Sequence, residues 1–134
     1  MGPDEDRTVE LWRAFMPRRR EIENTINADL YHVHVYRDQS TDVERWAALE
    51  VSDDTVVPQG MKRFSLSGGL YAVFTHRGPA TSFANTFQFI FSEWMPASQY
   101  EMDSRPRFEV LGQKYKNNAP DSEEEIWIPI KMKA

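Results

Sequence analysis

The chain contains no cysteine. Disulfides and thiolate chemistry, whether nucleophilic or metal-binding, are therefore excluded. Histidine is scarce, with His32, His34 and His76 the only three. His32 and His34 share a strand face, but no further ligand is spaced around them, so neither a metal nor another cofactor is expected. No apolar run approaches the ~18 residues of a membrane span. The start, MGPDEDRTVE, is acidic and lacks the basic-then-apolar order of a secretion signal. Positive charge is short as well: 16 Lys and Arg stand against 21 Asp and Glu, a net charge of −5. Such a surface has no general attraction for phosphate backbones or anionic lipid, so no direct nucleic-acid or membrane partner is expected. Nucleophilic triads, phosphate loops and dinucleotide fingerprints are missing, and Ser67-Gly68-Gly69 reads as a turn. The expectation is one soluble, cytoplasmic domain over all 134 residues, with residues 1–7 loosely held.

Ring-bearing side chains are plentiful. Aromatics make up 13% of the chain, with eight Phe, five Tyr and four Trp. That is more ring surface than a small core needs, and it fits either a bulky core or a ring-lined cavity.

Periodicity divides the chain into elements. Leu11, Phe15, Ile22 and Ile26 recur at helical spacing after a candidate cap at Thr8, with a break predicted at Pro17. LYHVHVYR (30–37) alternates strictly, placing Tyr31, Val33 and Val35 on one face and His32, His34 and Tyr36 on the other. RWAALEVS (45–52) completes a hairpin. Strands are predicted at 61–66 and 70–76, then a helix whose stripe is Phe83, Phe87, Ile90, Phe91 and Trp94. Residues 97–106 read as loop, followed by the strand RFEVLGQK and a last strand in EEIWIPIKM. Pro129 predicts an edge position or a bulge for that strand. The element order suggests two halves, each a helix laid on antiparallel strands, and hence an α+β fold.

The last strand poses the functional question. Ile126, Ile128 and Ile130 must meet the helices, so Glu125, Trp127 and Pro129 look the other way. An indole on a plainly solvated face would serve no purpose, so that face is expected to be concave or covered. Trp46 with Glu50, and Tyr71, offer further acids and rings. By alternation, His34 and Tyr36 are assigned to the same face. A carboxylate in a ring-lined cleft loses hydration and its pKa rises. A cationic guest relieves that loss and gains ~0.5–2 kcal/mol over each ring face.

These residues lie within segments of recognisable character: LWRAFMPRRREI, LEVSDDTVVPQGM, GGLYAVFTHRG, FIFSEWMPASQYEM, FEVLGQKY and DSEEEIWIPIK. Together, from Leu11 to Lys131, the chain resembles the GyrI-like small-molecule-binding domain, the effector-binding domain of AraC-type and MerR-type bacterial transcription regulators. The resemblance implies a duplicated strand-helix-strand-strand fold with a cleft between the halves and hydrophobic, often cationic, drug-like ligands. It implies ligand-binding roles for Glu125, Trp127, Tyr71, Trp94 and Glu50, with Tyr36 and His34 as wall positions resting on alternation. The family's leading strand is absent before the first helix, which predicts an open sheet edge and a homodimer through it. These 134 residues hold no segment expected to form a fused DNA-binding domain. The expected function is a stand-alone module that senses or sequesters multidrug-type molecules. Two alternatives share the same residues or surface. One is a hydrolase of electrophilic cyclopropane-bearing toxins using Glu125 and Tyr71. The other is a protein-interaction module of the gyrase-binding type.

Overall fold

The computed structural model describes residues 3–36, 43–53, 55–66, 68–116 and 119–134, without the side chains of residues 3–7 and Ala80. The fold is α+β: helices on one face of an open antiparallel sheet of six strands.

Helix α1 spans Pro3–Phe15, starting earlier than the cap predicted at Thr8. Pro17 ends the α-helix as expected, because its ring removes a donor and crowds the preceding turn. The chain continues as a 3₁₀ turn over Met16–Glu21. Strands β1 (Leu30–Tyr36) and β2 (Val43–Ala48) form the predicted hairpin, whose connecting residues lie outside the described ones. Strand β3 covers Tyr71–Arg77, while 61–66 is irregular rather than a strand. Helix α2 (Phe83–Phe89) runs through a π turn at Ile90–Trp94 into a last short turn, Met95–Ala97. Strand β4, Tyr100–Met102, lies where a loop was predicted. Strands β5 (Arg107–Leu111) and β6 (Glu123–Met132) complete the sheet.

The sheet order is β2-β1-β5-β6-β3, with β4 also on β6. Strand β6 is thus central, which corrects the edge position inferred from Pro129. A central proline is tolerated because the missing N–H falls at a gap between partners. Strand β5 pairs β6 only from Glu125 to Trp127, and β4 takes over at Ile130. Residues 103–106 bridge the gap, with Asp103 N–H donating to the Pro129 carbonyl at 2.9 Å.

Under α2 lies the main core. Ile90, Ile126 and Ile128 are wholly buried, joined by Ala72, Met95 and Ile130. The predicted stripe of Phe83, Phe87, Phe91 and Trp94 closes over them. Each such isoleucine contributes about 1.5–3 kcal/mol by leaving water. Helix α1 sits nearer the other end of the sheet, with the Trp12 ring edge-on to His32 at 5.9 Å. One glycine is obligatory. Gly69 has φ +150°, and a Cβ there would come within 2.6 Å of the Arg105 guanidinium. That guanidinium is fixed by Asp103, the Leu70 carbonyl and the Tyr71 ring.

Candidate ligand-binding site

Strand pairing decides which side chains share the helix-free face of the sheet. Val33 pairs Trp46 and Phe108, Phe108 pairs Trp127, and Trp127 pairs Val73. All therefore project to one side. Phe108 and Trp127 stack at 5.2 Å with their planes 18° apart. Tyr71 packs edge-on to both, at 5.6 Å from Phe108 and 5.7 Å from Trp127. Trp46 leans on Phe64 at 4.9 Å, bringing the 64–66 segment against the strands.

Between these groups is a cleft of about 470 Å³. Five rings line it: Tyr31, Trp46, Phe64, Phe108 and Trp127. Its acidic members are Asp29, Glu50 and Glu125, and no Lys, Arg or His is among the described lining residues. Glu50 accepts hydrogen bonds from Asn27 at 3.3 Å and from the Tyr31 hydroxyl at 3.2 Å. Burial, with the Glu50 carboxylate adding to it, pushes the Tyr31 phenol above its ordinary pKa. The indole N–H of Trp127 donates to Glu125 at 3.0 Å.

The expected site residues are thereby divided. Glu125, Trp127 and Glu50 line the cleft, and Tyr71 joins its ring cluster. Glu125 is exposed rather than buried, with the Trp127 indole N–H as its side-chain hydrogen-bond donor. The desolvated carboxylate of this acidic run is Glu124, on the opposite face. Burial, with the Glu109 charge adding to it, pushes Glu124 up to about 7. Trp94 does not reach the cleft; it packs edge-on to Phe74 at 5.1 Å in the helix-side core.

His34 and Tyr36 are also on the helix side. His32 pairs Glu109, and Glu109 pairs Ile126, so the even-numbered residues of β1 share the face of the isoleucines. This corrects the assignment from alternation. Period two fixes faces within one strand, but the relation of β1 to β6 runs through the register of β5, which no pattern in either strand specifies. Phe108 and Tyr31 were missed for the same reason, since both look like core residues, whereas Phe64 and Asp29 lie outside the strands, where period two assigns no face. On the helix face, His32, His34 and Glu109 bring three potential metal-donor atoms within 4.8 Å of one another.

An α+β domain with helices on one sheet face and an acidic, ring-lined cleft on the other has the form of a ligand-binding module. The comparisons with known proteins agree. The family model for Cass2, integron-associated effector binding protein, matches residues 3–130, and the chain belongs to this GyrI-like family. It is also similar to the transcriptional regulator BrlR of Pseudomonas aeruginosa, with 31% identity over 126 residues. That match covers 93% of this chain and 47% of the regulator, so the chain spans about half the length of this curated relative. Among the described residues, no helix is long and apolar enough to cross a membrane.

Proposed function

We propose that the chain is an effector-binding module for hydrophobic organic cations, which it senses or sequesters in the cleft on the helix-free face. The carrying observation is the composition of that cleft: five rings and three carboxylates, with no cationic side chain among the described lining residues. A neutral apolar guest would gain ring contact but leave the carboxylates uncompensated. A cation gains both the ring faces and the negative potential. Its charge is best placed near Glu125 and Glu50, with Trp127 and Phe108 against its flat apolar part. Isothermal titration with N-methylquinolinium and with its neutral analogue 1-methylnaphthalene separates the terms. The expected result is at least tenfold tighter binding of the cation, with a preference that shrinks in high salt. Equal affinity for the two refutes the reading.

The sheet edges support a homodimer as well. Among the described residues β2 pairs only β1 and β3 pairs only β6, which leaves each with an open side. Light scattering at micromolar concentration is expected to give twice the chain mass of 15.7 kDa, and the single-chain mass rules the dimer out.

A further inference from the structure

On the face away from the cleft, between the regions covered by α1 and α2, a polar strip crosses the sheet. Its centre is His32 and His34 on β1 with Glu109 on β5. Sequence spacing offers the histidines no third donor, but strand pairing supplies one, because Glu109 lies directly opposite His32. His34 and Glu109 are more than nine-tenths buried, at 4% and 6% exposure. The imidazole centroids are 4.2 Å apart. His34 Nε2 stands 3.1 Å from one Glu109 oxygen and 3.3 Å from the other. His32 Nε2 is buried and has no hydrogen-bond partner. A buried polar nitrogen without a partner is costly, and native proteins seldom keep one without a reason.

We propose that His32, His34 and Glu109 form a binding site for a zinc-class divalent transition ion. Two imidazoles and a carboxylate are a donor set suited to such ions, with a solvent molecule completing the coordination. Ligands about 2.0–2.2 Å from zinc lie roughly 3.3 Å from one another. The His34–Glu109 separation already matches, and donor atoms that all lie within 4.8 Å of one another close on an ion with side-chain shifts of about 1 Å.

Arg107 is the resident competitor. Its guanidinium reaches Glu109 and the His34 Nδ1, each at 3.4 Å, longer than a good hydrogen bond. Its short bond goes elsewhere, from Nε to the Tyr36 hydroxyl at 2.5 Å, and its flat face lies 4.6 Å from the centre of the Phe87 ring. Arg107 is therefore held mainly from outside the cluster and can yield Glu109 and His34 to a stronger cation.

The test uses the full chain without an affinity tag, titrated with Co²⁺ and followed by visible absorption, then displaced with Zn²⁺. One equivalent should give a ligand-field band that Zn²⁺ abolishes. His32→Leu and Glu109→Gln should each weaken binding at least tenfold, whereas Arg107→Gln should tighten it. Thermal unfolding in EDTA separates a metal ligand from a structural histidine. Because His32 Nε2 has no partner in the metal-free chain, His32→Leu should leave the Tm there unchanged or higher while removing the rise produced by Zn²⁺. Undiminished Co²⁺ binding in His32→Leu, weaker binding in Arg107→Gln, or a lower Tm of His32→Leu in EDTA overturns the assignment.

Discussion

Glu124 offers a measurement in which direction, size and pH window all follow from its surroundings. Its carboxyl sits on the helix side of β6, opposite His76 on β3, with the Glu109 carboxylate across β5 and Tyr115 nearby. Burial, reinforced by Glu109, carries it from 4.5 to about 7. Folding therefore takes up a proton between these two values. The contribution of Glu124 to stability falls as pH rises from about 4.5 to about 7 and is level above that. The full excursion would correspond to about 3 kcal/mol at 1.36 kcal/mol per pKa unit, and solvent screening of this half-buried group lowers it to about 1–2 kcal/mol. Wild-type stability alone does not isolate the effect. His32, which burial pushes down to about 4, contributes with the opposite slope between 4 and 6.5. The Glu124→Gln variant removes only the carboxyl's titration. Urea or thermal unfolding in EDTA should find variant and wild type closest near pH 4.5. The variant should then gain steadily, reaching about 1–2 kcal/mol, or about 4–7 °C in Tm for a chain of this length, by pH 8. A difference that does not change with pH, or a variant less stable at pH 8, would show that the carboxyl is not held in the low-dielectric strip.

Two further outcomes test the cleft and the core separately. Trp127→Leu keeps an apolar side chain beside Phe108 but removes the ring face, so affinity for N-methylquinolinium should fall about 3- to 30-fold by titration calorimetry. The neutral analogue should lose less. Ile128→Ala empties a wholly buried position beneath α2 and should cost about 2–5 kcal/mol in urea unfolding, without changing which ligands bind.

Much of this architecture is legible in the chain. The alternation of LYHVHVY, the stripe from Phe83 to Trp94 and the isoleucines of β6 each specify an element and its buried side, because one period matches one geometry. Short β4 escapes notice since three residues carry no period. The segment 61–66 alternates only over Phe64, Ser65 and Leu66, and it has no strand partner among the described residues. The cleft is half legible. Glu125, Trp127, Glu50 and Tyr71 follow from the last strand and from family resemblance. His34 and Tyr36 go astray because both faces of this sheet are rich in rings. The usual inference, apolar inward and polar outward, presumes only one greasy side. Here, on β1 and β5, histidine and glutamate are buried on the helix side, while tyrosine and valine furnish the cleft. Nor does the chain reveal that Glu124, rather than its neighbour, is the carboxylate deprived of water.

Pro129 sets a limit on how this domain can vary. Lacking a donor, it fits only beside the 103–106 bridge, so β6 cannot slide along its neighbours and keep its bonds. An insertion or deletion of one residue between Glu123 and Trp127 would exchange indole for isoleucine across the sheet, spoiling binding floor and core together. Relatives with this proline are expected to diversify by substitution within 123–129 and to place changes of length in the connections.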